Sequence, residues 1–344
     1  MKLIMTGLDY KHAHIDIREK FAFTKEKAKS ILSAIKAEHA VDACVLISTC
    51  NRTELYLSVS DIASSIAPSI MPSIALSPTK ILCNAINQGF EDLFIEKSGE
   101  AAFNHLCRMA SGLDSQIIGD DQIITQVREA LELSRNQNST NSYIEKVFNL
   151  AIQAAKAIKT HVIIKSLGVG SAPSKAVEKL KSLGALTDRK ALVIGNGQMG
   201  RLVSSLLIQE KAHVTVTLRE YKKGVVQVSD GADTIGYSER YKIVEKADIV
   251  ISATTSPHFT LYRADFDKLS QLPEIVIDLS VPRDVEPSIG EIPGIVLLTI
   301  DDLTGTGRVL PSESARMINQ IILEYTQKYY SWLSFKTAVT GGAV

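Results

Sequence analysis

Apolar and polar positions follow two different rhythms along this 344-residue chain, and the change near Lys190 divides it. The stretch from Lys2 to Leu8 reads as a strand, and Ala28, Ile31, Leu32 and Ile35 recur at the spacing of one helix face. Ala43-Cys44-Val45-Leu46-Ile47 is a continuous apolar run. Beyond it, Leu55, Leu57 and Val59 alternate with Tyr56 and Ser58, the period of a half-buried strand. Residues 60–80 blur both periods. With Pro68, Pro72 and Pro78 set to interrupt any helix, they are expected to form a short helix and loop. A strand near 92–95 and a helix over 99–109 complete a small α/β layer. Ile124, Val127 and Leu131 then form a helical stripe. After turn-rich residues 134–142, a second helix carries Ile144, Val147, Phe148, Ala151 and Ile158 and is expected to bridge two domains.

From Lys190 onward strand and helix alternate. Ala191-Leu192-Val193-Ile194 reads as a buried parallel strand, followed directly by Gly195-Asn196-Gly197-Gln198-Met199-Gly200 and a helix through 202–208. Further strands are expected at 213–217, 248–252, 275–279 and 295–298, which together predict a doubly wound parallel sheet. Near the C-terminus Ile318, Ile321, Ile322, Tyr325, Tyr329, Trp332 and Leu333 mark a helix whose apolar face has no partner nearby in sequence; the bridging helix or another subunit would bury it. The expected class is therefore α/β: an N-terminal α/β domain with the bridging helix over 1–160, a dinucleotide-binding sheet over 161–305, and a C-terminal helix within 306–344.

Composition narrows this little. A mass of 37.5 kDa calls for more than one core, and 38 basic against 38 acidic residues neither demand nor exclude a nucleic acid partner. Lys146, Lys156 and Lys159 share the polar side of the bridging helix, as a solvated face or a contact surface. No uncharged apolar stretch reaches the roughly 18 residues of a spanning helix, and the first residues read as a strand in place of a signal peptide, so a cytoplasmic protein with no membrane segment is expected. The four cysteines, Cys44, Cys50, Cys83 and Cys107, lack C-x-x-C spacing, and His12, His14, His39, His161, His213 and His258 share no ligand spacing, so no metal is expected.

Two segments carry chemistry. In Gly195-Asn196-Gly197-Gln198-Met199-Gly200 the first glycine permits a tight turn, the second lets a pyrophosphate approach the backbone, and the third lets helix pack on sheet, the Rossmann arrangement. The next strand ends at Leu218-Arg219, with Lys222 and Lys223 beyond, which suits the 2′-phosphate of NADPH, although Glu220 could reach a ribose instead. Ala253-Thr254-Thr255-Ser256-Pro257 would line the nicotinamide side. The other segment is Ser48-Thr49-Cys50-Asn51-Arg52-Thr53-Glu54, which puts Cys50 in a polar turn between two strands. Cys50 is either a small residue filling that turn or a nucleophile, with Arg52 favouring its thiolate. A thiolate together with a hydride donor would let an activated acyl group form a thioester and leave as an aldehyde.

These segments, with Gly7-Leu8-Asp9-Tyr10-Lys11-His12, Arg18-Glu19, His105-Leu106, Ala110-Ser111-Gly112-Leu113-Asp114-Ser115, Gln122 to Gln126-Val127, Val281-Pro282-Arg283-Asp284-Val285 and Asp301-Asp302-Leu303, closely resemble the glutamyl-tRNA reductase family over most of residues 1–303. The resemblance implies NADPH-dependent reduction of glutamyl-tRNA to glutamate-1-semialdehyde, the opening step of tetrapyrrole synthesis, with Cys50 as nucleophile. It further implies that Thr49, Asn51, Arg52, Ser115, Asp120, Asp121, Gln122 and Gln126 hold the glutamyl group. Arg52 would suit the substrate's side-chain carboxylate, because a guanidinium can bind it bidentately. His105 would protonate the departing tRNA oxygen or orient the acyl group; as a residue, it reads equally as a satisfied core histidine. Gly195, Asn196, Gly197, Gln198, Met199, Gly200 and Arg219 would bind the cofactor. A homodimer and an aminomutase that receives the aldehyde are implied partners.

The chain departs from the family at Gly119-Asp120-Asp121-Gln122, where Gly-Glu-Pro-Gln is usual, and at Leu218-Arg219-Glu220, where Asn-Arg-Thr is usual. Its final segment reads as a shortened form of the family's helical dimerisation domain. Two other readings stay open: a small-molecule NADP dehydrogenase like shikimate dehydrogenase, with Cys50 incidental, and a non-catalytic RNA-binding or redox-responsive protein.

Overall fold

A computed structural model describes residues 1–38, 41–49, 51–60, 77–115, 122–161, 171–219, 227–303 and 312–341. The chain forms two compact units, Met1–Val169 with Arg308–Val344, and Gly170–Gly307.

The first unit is built on an antiparallel sheet ordered β2-β3-β1-β4, with β1 at Lys2–Asp9, β2 at Ala43–Ser48, β3 at Arg52–Val59 and β4 at Ile95–Ser98. On one face Leu3, Met5, Val45, Ile47 and Tyr56 meet Phe103, Leu106, Val147, Phe148 and Ala151 from the helices Glu100–Ala110 and Ser142–His161. On the other, Leu8, Cys44, Leu46, Leu55 and Leu57 meet Ile31, Leu32 and Ile35 of the helix Lys25–Glu38 and Leu82 of Pro78–Asn84. Side chains along a strand alternate between faces, so an element covered on both sides loses the half-buried pattern. That is the case for β3, whose residues from Arg52 to Ser58 are all buried, in contrast to the half-buried strand expected. Pro78 opens a helix at its first position, where no N–H bond is lost, instead of interrupting one. The strand expected near 92–95 begins at Ile95, after a 3₁₀ turn over Glu91–Leu93.

The C-terminal helix Ser312–Gly341 finds its partner within the same unit. Ile318, Ile321, Ile322 and Tyr329 join the core against the helices Glu100–Ala110 and Ser142–His161. Tyr329 stacks on Phe103 with ring centroids 4.8 Å apart and shares a 2.7 Å hydroxyl hydrogen bond with Tyr143. Burying each of these apolar side chains contributes about 1.5–3 kcal/mol.

The second unit is a parallel six-stranded sheet ordered β10-β9-β8-β5-β6-β7. Its strands are β5 at Lys190–Ile194, β6 at His213–Leu218, β7 at Asp233–Gly236, β8 at Ile249–Ser252, β9 at Ile275–Asp278 and β10 at Val296–Thr299. The chain winds outward from β5 through β6 to β7, then returns beside β5 with β8. This opens a crevice at the carboxyl ends of β5 and β8, where such sheets bind ligands. β7 is an edge strand with little burial, so no apolar run announced it.

Candidate active site

In the first unit, strand pairing sets the site. Asp9 stands opposite Arg52, and Gly7 opposite Glu54, in the β1–β3 register. The turn from β2 into β3 is closed by Thr49 N–H donating to Arg52 O at 2.9 Å, while Thr49 Oγ1 accepts from the N–H groups of Asn51 and Arg52, both at 3.2 Å. Cys50 lies outside the described residues, as do Asp120 and Asp121. Asn51 is held from two sides: its carbonyl accepts from Tyr10 N–H at 3.0 Å, and its Oδ1 accepts from the buried Arg18 at 3.1 Å. The Tyr10 hydroxyl donates to Ser115 O at 3.4 Å.

Inside this turn sits a buried charged cluster. Arg52 donates through Nη1 to Glu54 Oε1 at 2.8 Å and through Nη2 to the carbonyl of Asp114. Glu54, with its side chain 1% exposed, also pairs with His105 Nε2 at 2.9 Å and accepts from the Tyr56 hydroxyl at 2.7 Å. Burial alone would raise the Glu54 carboxyl, but His105 and Arg52 beside it, with hydrogen bonds from His105 and Tyr56, hold it well below the usual carboxylate range. Burial and the Glu54 charge push the Tyr56 phenol up. The Asp114 carboxylate takes Arg108 bidentately, both contacts at 3.2 Å, and this pairing offsets burial to hold its carboxyl low. Thr49, Asn51, Arg52, His105 and Ser115 thus come into one connected neighbourhood. Gln122 and Gln126 lie one turn apart and half-buried on the helix Gln122–Asn136, which packs on β2. Sequence reasoning missed Glu54, Tyr56 and Lys97; for the first two the available signal was Arg52, Glu54 and Tyr56 recurring at every second position on one side of a strand, and nothing local marked Lys97 on β4.

In the second unit, Gly195 has φ +104° and a side chain there would meet Ala253 O at 2.6 Å, while a Cβ on Gly200 would lie 1.9 Å from Gly195 O. Glycine is required at both. Gly197 instead has ordinary extended backbone, φ −78°, and nothing within 4 Å of its Cβ position, so its backbone is open to approach at the start of the helix Gln198–Gln209, where Gln198 and Met199 form the first turn. Asn196 donates through Nδ2 to Gln227 O at 2.9 Å, and its buried Oδ1 has no hydrogen-bond partner among the described residues. An open glycine backbone, a helix start and an unpaired acceptor together fit a dinucleotide. Arg219 is exposed at the end of β6, its guanidinium 5.7 Å from the ring centre of Tyr237. Lys222 and Lys223 lie outside the described residues.

Across the crevice, Asp284 fastens the loop that follows β8. Its carboxylate accepts from Thr254 N–H at 2.8 Å, Thr254 Oγ1 at 2.6 Å, Ser252 Oγ at 2.7 Å and Ser280 Oγ at 2.6 Å. Burial and the adjacent Asp284 push the Asp278 carboxyl up to about 7, against backbone N–H bonds from Ser280, Val285 and Asp284. Among the described residues no group of three or more His, Cys, Asp or Glu is arranged to hold a metal ion, and no helix is long and apolar enough to cross a membrane.

Residues 6–162 match the glutamyl-tRNAGlu reductase N-terminal domain, and residues 176–306 match the shikimate / quinate 5-dehydrogenase domain, a nicotinamide-dependent type. The chain is 39% identical over 341 residues to a glutamyl-tRNA reductase of Alkaliphilus oremlandii, covering 98% of each chain. It is also 39% identical over 343 residues to that of Acetivibrio thermocellus, again covering 98% of each. A solved glutamyl-tRNA reductase from Methanopyrus kandleri is 26% identical, with a TM-score of 0.47 over 96% of this chain and 80% of that one. The shikimate-type match is confined to the nucleotide unit, whereas the relatives run through both units, so a small-molecule dehydrogenase is not favoured. The chain belongs to the glutamyl-tRNA reductase family.

Proposed function

We propose that the protein reduces the glutamyl ester of glutamyl-tRNA to glutamate-1-semialdehyde with NADPH, through a thioester on Cys50, as the first step of tetrapyrrole synthesis. The observation that carries this reading is the convergence of Thr49, Asn51, Arg52 and Ser115 around the turn that contains Cys50 in sequence, in a chain whose second unit has an open dinucleotide turn. The Cys50 thiolate attacks the ester carbonyl and the tRNA terminal hydroxyl leaves with a proton. NADPH, when bound, would supply a hydride to the thioester carbonyl, releasing the aldehyde and returning the Cys50 thiolate.

Arg52 keeps guanidinium N–H groups beyond those given to Glu54 and the Asp114 carbonyl, and these would take the substrate's side-chain carboxylate, with Thr49, Asn51, Ser115, Asp120, Asp121, Gln122 and Gln126 completing the glutamyl site. Gly195 to Gly200 would cradle the pyrophosphate, and Arg219, steadied over Tyr237, would take the 2′-phosphate that distinguishes NADPH. The proposal includes a cytoplasmic location, a homodimer, and an aminomutase that receives the reactive aldehyde.

A single-turnover assay tests it. Incubation with acyl-labelled glutamyl-tRNA without NADPH should leave label on the protein, absent in Cys50→Ala, and later NADPH should release labelled aldehyde. Equal label on Cys50→Ala, or release of free glutamate with no aldehyde, would overturn the reading.

A further inference from the structure

We propose that Glu54 is a positioning residue for this reaction: it fixes the Arg52 guanidinium at the junction of the two segments that hold the glutamyl group, and His105 acts by orienting Glu54, not by passing a proton to substrate. This rests on the proposed reduction at Cys50 and assigns a division of labour within that site.

The geometry of His105 carries the argument. Both ring nitrogens are engaged by protein groups, Nε2 with Glu54 Oε1 at 2.9 Å and Nδ1 with Lys97 Nζ at 3.3 Å, and the side chain is 5% exposed. A carboxylate can only accept, so Nε2 carries the hydrogen given to Glu54, while Nδ1 is taken up by its contact with Lys97. A ring spent in this way has no nitrogen left to face a departing tRNA oxygen. It is well placed, however, to fix one carboxylate oxygen.

Glu54 passes that constraint on. Oε1 receives His105 and Arg52 together, Oε2 receives the Tyr56 hydroxyl, and a side chain on the facing Gly7 would meet Glu54 Cγ at 2.7 Å, so the strand opposite leaves room for this carboxylate and little else. Arg52 then spans from Glu54 to the carbonyl of Asp114, immediately before Ser115. Its orientation therefore decides how the Ser115 segment sits against the Thr49–Asn51 turn. A lysine or a loosely held arginine could not make both contacts, because the planar fork sets their relative direction.

The test uses acyl transfer to Cys50 in the full chain, with labelled glutamyl-tRNA and glutaminyl-tRNA as competing donors across a range of pH. Glu54→Gln and His105→Gln are each expected to lower the preference for glutamyl over glutaminyl donor by about tenfold or more. The double variant should be no worse than either single one, and the pH profile of acyl transfer should keep its shape in His105→Gln. Tyr56→Phe, which removes one hydrogen bond and keeps the ring, should give a smaller loss in the same direction and serves if the charged variants do not fold. Retained donor preference in all variants would overturn the positioning role alone. Loss of one limb of the pH profile in His105→Gln, with preference intact, would establish proton transfer by His105 and overturn the proposal. Wild-type protein that takes no label on Cys50 would overturn the reaction and the positioning role with it.

Discussion

Two glycines of the dinucleotide turn should respond in opposite ways to the same methyl group. At Gly197 the backbone is extended, φ −78° and ψ −171°, and an alanine Cβ would meet nothing within 4 Å. Alanine there reduces the freedom of the unfolded chain, worth about 0.4–1 kcal/mol in favour of folding. Against this, it is a poorer helix N-cap than glycine by about 1 kcal/mol, so the two effects nearly cancel. Stability to urea should change by less than about 1 kcal/mol. The methyl would stand where the pyrophosphate approaches, and NADPH should bind at least about tenfold more weakly, a loss of about 1.4 kcal/mol. At Gly200 the added Cβ would lie 1.9 Å from Gly195 O and 2.9 Å from Gly195 C, backbone atoms that cannot swing aside. Gly200→Ala should lose about 1–3 kcal/mol or more of stability, and cofactor binding with it. Equilibrium unfolding and titration of NADPH fluorescence on both variants measure the two quantities. An unchanged dissociation constant in a folded Gly197→Ala protein would refute the account of the turn, and so would equal destabilisation by both substitutions.

Arg219→Gln should weaken NADPH binding about ten- to a hundredfold while leaving NADH binding within about threefold, read by competitive titration, because only the former carries a 2′-phosphate for the guanidinium. Tyr143→Phe and Tyr329→Phe should each cost about 0.5–1.5 kcal/mol, since each removes the 2.7 Å hydroxyl bond that the pair shares, whereas the double variant should cost less than the sum of the two. Fluorescence of the single Trp332, on the same helix, reports the unfolding. Glu54 is held below the usual carboxylate range in the folded state, so its contribution is complete above that range and is lost as pH falls through the folded value. Urea stability of the first unit should therefore decline on acidification below about pH 4, and less steeply in Glu54→Gln.

What the sequence disclosed followed the range of the physics. The turn at Gly195 to Gly200 was legible because its requirements are local: a positive φ, an open backbone and a helix start are written in adjacent residues. The same holds for the apolar strands β5, β8 and β9, which are buried on both faces and so carry uninterrupted apolar runs. β3 misled because Arg52, Glu54 and Tyr56 look like a solvent side, and the helices that cover them begin only at Glu100 and Ser142. Glu54 was overlooked for the same reason: period-2 alternation assigns a charged residue to water unless a distant partner is known. The partner of the C-terminal helix was equally non-local, since Phe103, Asn104 and Tyr143 meet Tyr329 and Thr326 from roughly two hundred positions away.

The buried cluster on β3 is hard to explain by stability. Taking Arg52 and Glu54 out of water carries a desolvation cost that their 2.8 Å contact only balances with help from neighbouring hydrogen bonds, and well-packed apolar residues often serve a core as well or better. The adjoining positions show that this core accepts such residues, because Tyr56 on the same face packs edge-on against Phe148 at 5.3 Å. What an apolar replacement could not do is reach from the strand to the Asp114 carbonyl in a fixed direction. The polar face of β3 therefore makes physical sense as a device that specifies where the segment ending at Ser115 lies against the Thr49–Asn51 turn. Its consequence is asymmetric: removing one partner leaves an uncompensated buried charge and should be far more damaging than its net contribution to folding implies.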